Sequence, residues 1–415
     1  MNILIISYFF PPHNRIGSIR VGKMAKYLHQ FGHEIKVITP NHTDEDISAP
    51  IEIPEENIIK TEIITFDQVL PDTYQSYSFF KKIISRGRAA VKFRKPVFFL
   101  PSASWGWYDF AIKASGQLFS EWKPDVIYSS ALPITCHFAA SKISRKHKIA
   151  WVAEYRDLWS GGHGARVNSV SSFFLKKIEK WLLEPADALV TVSAPLANYL
   201  QNLHKKKTEV VFNGYDEQPE SANYEEINKK EQPVTIVYTG SIYEGRDPRI
   251  LFEALKLLKP AKDDVIIQFY TKPNKKLKAM IEEYGLNSFV KIMERVSYDD
   301  SLRIQARADV LLFLSYSSTT HKGKGILSGK VFEYAGAQRP ILSVGLDDDH
   351  LFVRQNLMVH FDDSVNLCGK LKEWIDEKKK KGFIAFKTDK NILKTYSRES
   401  QAKKLDNLLH EIIDK

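Results

Sequence analysis

Four residues within one short stretch, 328–333, could together hold a phosphorylated ligand. Ser328 can cap the free amides of a helix that begins here, and Gly329 lets the backbone approach a ligand closely. The start of a helix carries partial positive charge, and Lys330 adds a full one. The stretch therefore predicts a phosphate site, with Glu333 more than one turn further along the same helix.

Glu333 is too far from the helix start to gain much from the helix dipole, so we expect it to have a hydrogen-bonding partner. Paired ribose hydroxyls would serve as that partner. A nearby Lys or Arg would serve equally well, and these residues alone leave the two alternatives open.

The chain around these residues reads as strands that alternate with helices. Residues 2–7 form an apolar run of strand length, a loop with Gly17 and a helix over 18–31 follow, and a second strand covers 34–38. This βαβ order predicts a parallel sheet with a ligand crevice at the carboxyl ends of its strands, where Gly17 lies. The spaced glycines of a dinucleotide fingerprint are missing, which disfavours a nicotinamide or flavin cofactor.

Arg156 and Asp157 follow another buried strand, 149–153, and precede a glycine-rich loop. Charged residues at the end of such a strand belong on the crevice side of a parallel sheet, which suggests a binding role. The alternative is that Arg156 and Asp157 pair with each other and hold the loop together.

The length of 415 residues allows two domains, each with its own core. A basic linker at 205–207 precedes a second α/β series that begins at 235. We therefore predict domains at 1–205 and 206–395, with a C-terminal helix in 396–415 that crosses back to the first. The predicted fold class is α/β, with two doubly wound Rossmann-like domains facing a cleft. The lysine-rich helix over 373–381 is predicted to lie on the surface.

The net charge of +10 indicates an acidic partner but does not identify it. Residues 79–100 contain basic and aromatic side chains and no acidic one, as expected for a segment that lies on an anionic bilayer; a solvated helical face is the alternative. No nucleic-acid recognition motif accompanies the charge. Two cysteines and the lack of a leader or long apolar run predict a cytoplasmic protein with, at most, peripheral contact with the inner face of the membrane.

Seven strings occur along nearly the whole chain in an order that resembles family 4 retaining glycosyltransferases of the GT-B fold. They are the FFPP loop with Gly17, PDVIYSS, EYRDLWS, TVSAPLANYL, FNGYD, YTGSIYEGRDP and SGKVFEYAGAQRPIL. The chain looks most similar to the bacterial branch that builds surface polysaccharides such as O-antigen and capsule.

This resemblance implies a donor that is a UDP- or GDP-linked sugar, an acceptor that is a glycan or a polyprenyl-diphosphate-linked glycan, and no further cofactor. Arg246 would contact the donor diphosphate, Glu333 the ribose, and Lys330 would help to stabilise the leaving phosphates without a metal. The remaining donor-side residues implied are Gly17, Gly240, Ser241, Ser328 and Gly329. Arg156 and Asp157 would lie on the acceptor side.

The sequence departs from the family pattern at two positions. Gly325 stands where the family has the first of two glutamates, with Lys322 and Lys324 beside it, and Ser241 replaces an arginine. These departures leave a non-catalytic nucleotide-sugar-binding subunit as an alternative. A nucleotide-sugar 2-epimerase, another enzyme on the same fold, is a second alternative, against which the basic aromatic segment 79–100 argues. Residues 347–349 are three aspartates that resemble a metal-binding motif of another glycosyltransferase fold, but a solvated turn is favoured, so we predict no metal.

Overall fold

A computed structural model describes residues 1–42, 48–64, 103–161, 169–216, 230–242, 245–314, 327–345, 350–386 and 388–414. The basic aromatic segment 79–100, the residues Lys322, Lys324 and Gly325, and the aspartates at 347–349 lie outside these ranges. The predictions that concern them remain predictions from the sequence.

The first sheet has seven parallel strands in the order β3-β2-β1-β4-β5-β6-β7. Its strands are β1 (Asn2–Ser7), β2 (Glu34–Pro40), β3 (Ile58–Thr61), β4 (Val126–Ala131), β5 (Ala150–Tyr155), β6 (Ala188–Thr191) and β7 (Thr208–Val210). The helices are α1 (Ile16–Gln30), α2 (Tyr108–Leu118), α3 (Thr135–His147), α4 (Ser169–Leu182) and α5 (Ala194–His204). The strand order reverses at β1, so a ligand crevice is expected beyond the carboxyl ends of β1 and β4.

The second sheet has six parallel strands in the order β10-β9-β8-β11-β12-β13. Its strands are β8 (Val234–Thr239), β9 (Val265–Tyr270), β10 (Val290–Met293), β11 (Val310–Leu314), β12 (Ile341–Val344) and β13 (Val359–Phe361). The helices are α6 (Arg249–Leu258), α7 (Lys275–Glu283), α8 (Tyr298–Arg307), α9 (Gly329–Gly336), α10 (Leu351–Arg354), α11 (Ser364–Lys381), α12 (Lys390–Thr395) and α13 (Arg398–Ile413). Here the order reverses at β8, which puts the equivalent crevice between β8 and β11.

The chain divides into two compact units that differ slightly from the predicted domains. The first unit is Met1–Phe212 together with Ala402–Lys415, and the second is Asn213–Gln401. The first unit extends past 205 because β7 pairs with β6 at the edge of the first sheet. The later part of α13 joins the first unit through a buried apolar stripe that packs with residues of β1 and α1, namely Ala402, Leu405, Leu408 and Leu409.

Each unit contains a buried ion pair that sequence patterns did not indicate. In the first unit Arg20 of α1 donates to the Glu154 carboxylate of β5, with Nε to Oε1 at 2.8 Å, and also to the carbonyl of Val211 at 2.8 Å. In the second unit Lys378 of α11 pairs with Asp309. The helix over 373–381 exposes Lys379, Lys380 and Lys381 as expected of a surface helix. Lys378 is the exception, because α11 buries it beside an apolar stripe.

Candidate functional site

Gly240 follows directly after β8 and brings the backbone close to Lys330 on the first turn of α9. Its φ of +110° is a left-handed conformation that favours glycine. A Cβ atom at this position would lie 2.2 Å from Lys330 Nζ. The glycine therefore provides both the turn and the space that let the ammonium group reach the carboxyl end of β8.

Tyr238 is the residue on which the cations of the predicted phosphate site converge. Lys330 Nζ donates to its hydroxyl at 3.2 Å and lies 4.5 Å from its ring centroid. Arg246 Nη1 donates to the same hydroxyl at 3.3 Å and to the Ser241 carbonyl at 2.9 Å. The Tyr238 hydroxyl in turn donates to the Ser241 carbonyl at 2.9 Å. Two positive groups thus lie within hydrogen-bonding distance of a single neutral oxygen.

The electrostatics of this cluster favour an anionic ligand. Burial, with a further contribution from the Arg246 guanidinium, lowers the pKa of Lys330 from 10.5 to about 7, and the Glu333 carboxylate only partly opposes this. Bringing two cations together in a partly buried site is unfavourable unless negative charge joins them. A diphosphate beside Lys330 and Arg246 would supply that charge.

The N-terminus of α9 adds backbone donors to the cluster, with one difference from the prediction. Ser328 is the N-cap residue, as expected, but its hydroxyl makes no capping hydrogen bond. The predicted side-chain cap was therefore wrong. The first-turn amides of α9, beginning at Gly329, are the groups that a phosphate at a helix start would use.

Glu333 lies about one turn beyond Lys330 on α9 and is partly buried. Burial raises the pKa of its carboxyl group, while the Arg398 and Lys330 charges and hydrogen bonds with Tyr298 and Gln305 oppose the rise. Arg398 is itself engaged, since Nη1 pairs with Asp216 at 2.9 Å and Nη2 donates to the Tyr298 hydroxyl at 3.1 Å. Neutral partners as well as charged ones therefore orient Glu333.

Arg156 and Gly17 come together in the first unit. Arg156 Nε donates to the Ala131 carbonyl at 3.0 Å and its Nη2 to the Leu132 carbonyl at 2.5 Å, at the carboxyl end of β4. A Cβ on Gly17 would lie 1.2 Å from Arg156 Nη1, so the glycine makes room for the guanidinium group. Asp157 is exposed. Arg156 therefore holds the turn after β4 through these two carbonyls, whereas the alternative considered from the sequence was a pair with Asp157 that holds the loop.

The site residues that sequence reasoning missed are Tyr238, Tyr298 and Arg398. Tyr238 opens the YTGSIYEGRDP string, in which the resemblance assigns Gly240, Ser241 and Arg246 to the donor side but gives Tyr238 no role. The position of Tyr238 at the end of a buried strand, directly before the glycine turn, could have drawn attention to it. Tyr298 and Arg398 have no local signal, because they reach Glu333 from other helices.

One group among the described residues has metal-ligand chemistry. His33, Asp406 and His410 offer ligand atoms within 4.8 Å of one another in the first unit. However, Asp406 already contacts His33 Nε2 at 2.6 Å and Lys403 Nζ at 2.6 Å, and the lysine supplies the positive charge that a metal would bring. None of the described helices has the length and apolar character needed to cross a membrane.

Comparison with known proteins finds a family model that matches the first half of the chain in part. Residues 18–219 match the model of Glycosyltransferase Family 4. This agrees with the resemblance seen in the motifs for that part of the chain. The chain is also similar to Glycogen synthase 1 from Synechocystis, with 24% identity over 172 residues. That alignment covers 38% of this chain and 34% of the relative, so it spans about a third of the relative's length.

Solved structures match the whole chain. Sucrose-phosphate synthase from Thermosynechococcus elongatus aligns with a TM-score of 0.63 and 14% identity, covering 100% of this chain and 99% of that one. HepE from Anabaena in complex with UDP aligns with a TM-score of 0.62 and 13% identity, covering 99% and 100%. The lipopolysaccharide outer core galactosyltransferase WaaB aligns with a TM-score of 0.55 and 12% identity, covering 99% of each chain. The predicted fold class is confirmed as GT-B, with two sheets of parallel strands and alternating helices.

Proposed function

We propose that this protein is a retaining glycosyltransferase that moves a sugar from a nucleoside-diphosphate sugar to a glycan or polyprenyl-diphosphate-linked glycan. The observation that carries the proposal is the convergence of Lys330 and Arg246 on the Tyr238 hydroxyl, beside the glycine turn after β8. A diphosphate group matches this site in charge. The family match and the solved complex of HepE with UDP support a nucleotide-sugar donor.

The chemistry follows from where charge develops. The bond from the anomeric carbon to the diphosphate breaks, a bond to the acceptor oxygen forms on the same face, and the acceptor proton moves to the leaving phosphate. Lys330, Arg246 and the first amides of α9 would stabilise the negative charge on that phosphate. Glu333 would hold the ribose through its hydroxyls. These groups need no metal, so activity should survive chelation.

The acceptor and the pathway rest on the sequence. The basic aromatic segment 79–100 suits contact with the inner face of the cytoplasmic membrane, where polyprenyl-linked acceptors would be met. The motif resemblance supports a role in bacterial surface-polysaccharide synthesis of the O-antigen or capsule type, and segment 79–100 supports a location in the cytoplasm or at the inner membrane surface.

The first test is a thermal-shift panel of UDP, GDP and their common sugar conjugates on the native chain and on Glu333→Ala. Glu282→Ala, an exposed carboxylate in α7, is the matched control. We expect one nucleotide to raise the melting temperature of the native chain and the control by several degrees and that of Glu333→Ala by much less. No shift with any nucleotide would overturn the site assignment.

A second measurement separates the ribose role of Glu333 from a merely structural one. Losing a hydrogen bond to a charged group costs about 1.5–3 kcal/mol, or roughly 10- to 100-fold in affinity. With the native chain, the 2′,3′-dideoxy form of the preferred nucleotide should bind more weakly than the nucleotide itself by this amount. With Glu333→Ala, the two forms should bind with nearly the same affinity. Additive losses would show that Glu333 does not bind the ribose hydroxyls.

Product analysis then distinguishes the two rival functions. Transfer to an acceptor, or release of free sugar with its anomeric configuration retained, is expected for a glycosyltransferase. An epimerised donor would indicate a 2-epimerase. Nucleotide binding without turnover in the presence of membrane glycolipid extracts would favour a binding subunit.

A further inference from the structure

Helix α4 in the first unit has two unlike faces. Its inner face is buried, with Leu182 at 0% exposure and Glu179 hydrogen-bonded to Ser160. Its outer face carries three large aromatic side chains: Phe173 is 54% exposed, Phe174 is 58% exposed and Trp181 is 61% exposed. Phe174 and Trp181 are seven residues apart, and Phe173 adjoins Phe174, so the three lie along one side of the helix.

The aromatic side chains of this outer face are surrounded by cations. Lys177 lies over the Phe173 ring at 4.6 Å and stands one turn from Trp181, and Lys180 is exposed on the same side. Arg145 of the neighbouring helix α3 lies 5.4 Å from the Trp181 ring and donates to its carbonyl at 2.7 Å. The exposed carboxylate of Glu184 pairs with Arg145 at 2.9 Å, so the lysines give the face a net positive charge.

Such a combination suits one kind of partner better than others. Contiguous exposed aromatic groups mark an interaction site. The buried centre of a protein interface is depleted in lysine, which disfavours a second copy of this chain as the partner. At a bilayer surface, by contrast, aromatic rings settle at the headgroup level and lysines reach the phosphates of anionic lipids.

We propose that the outer face of α4 docks on an anionic lipid bilayer, with Phe173, Phe174 and Trp181 entering the headgroup region and Lys177 and Lys180 contacting lipid phosphates. This membrane contact is separate from segment 79–100 and adds a partner surface to the proposed function. Vesicle binding needs neither donor nor acceptor, so it is measured apart from glycosyl transfer and either proposal can fail alone.

The test is co-sedimentation of the purified full chain with vesicles. One set contains phosphatidylglycerol in phosphatidylcholine, and the other is phosphatidylcholine alone. Two variants remove the two parts of the face: F173S/F174S/W181S and K177E/K180E. The matched controls are Leu257→Ser, an exposed apolar residue on α6, and K262E/K278E, two exposed lysines of the second unit.

We expect the native chain and both controls to bind phosphatidylglycerol vesicles at least about tenfold more tightly than phosphatidylcholine vesicles. Each face variant should lose about tenfold of that binding, and K177E/K180E should also lose much of its salt dependence. Trp181→Phe should keep binding and lose part of the tryptophan quenching caused by brominated lipids.

Three results would overturn the proposal. The first is unchanged vesicle binding by both face variants. The second is a fall of several degrees in the melting temperature of F173S/F174S/W181S, since that would mean the aromatic side chains pack against protein. The third is a vesicle-free dimer of the native chain that the same substitutions convert to monomer, which would make a second copy the occupant of the face.

Discussion

Raising the pH from 6 to 8 should weaken nucleoside-diphosphate binding about tenfold through the titration of one side chain, Lys330. In the unliganded protein its pKa is lowered to about 7, chiefly by burial and then by Arg246. A diphosphate beside the ammonium group should return that pKa to its ordinary range, because opposite charge favours the protonated form. Binding above pH 7 must therefore bring a proton with it.

The magnitude follows from this difference in pKa. Below pH 7 the lysine is protonated both before and after binding, so its contribution to affinity is fully present. Above pH 7 the protonated fraction of the free protein falls, and affinity should drop about tenfold for each further pH unit until the pKa of the complex is reached. At pH 8 the binding of each ligand molecule should be accompanied by the uptake of about 0.9 proton from the buffer by Lys330.

The assay is isothermal titration calorimetry with UDP in two buffers of different ionisation enthalpy, from pH 6 to pH 9. Lys330→Arg is the matched control, since arginine stays charged throughout and cannot take up a proton. The ligand phosphate also titrates near pH 6, but the same ligand is used with both proteins, so the difference between them isolates Lys330.

Lys330→Met supplies a second comparison. At pH 6, removing the charge should lower the affinity about 10- to 100-fold relative to the native chain, the range expected for a hydrogen bond to a charged group. At pH 8 this ratio of affinities should be about tenfold smaller, because the native lysine is then mostly uncharged before binding. The reasoning is refuted if the native chain and Lys330→Arg show the same pH dependence and the same proton uptake. In that case Lys330 does not contact the phosphates or is not deprotonated in the free protein.

Two further predictions concern the first unit. Arg20→Met should lower the free energy of unfolding in urea by about 3–5 kcal/mol because it leaves the Glu154 carboxylate buried without its cation. Adding Glu154→Gln should restore much of that loss. A cost below about 1 kcal/mol for the single variant would contradict this. Gly17→Ala should cost about 1–3 kcal/mol because its Cβ displaces the Arg156 guanidinium. Combining it with Arg156→Ala should cost less than the sum of the two, and strictly additive losses would argue against that clash.

Much of the fold could be predicted from the sequence because the signals are local. The strand Asn2–Ser7 has the predicted bounds, the strand predicted at 34–38 is observed as Glu34–Pro40, and α9 begins directly after Ser328 as expected. Apolar runs, glycine turns and helix starts depend on neighbouring residues, so they are legible in one sequence. The alternation of strands and helices then indicates parallel sheets, whose carboxyl ends bring loops such as 239–241 and the start of α9 together.

What the tertiary structure alone decided are the contacts between distant residues. Tyr238 lies 92 positions from Lys330, and Arg20 lies 134 positions from Glu154. No periodicity or turn signal links residues so far apart, because their pairing depends on how whole elements pack. The sequence by itself determined which residues stand at strand ends and helix starts. The packing of these elements determined that Lys330 and Arg246 both donate to the Tyr238 hydroxyl, and that the aromatic side chains of α4 face outward.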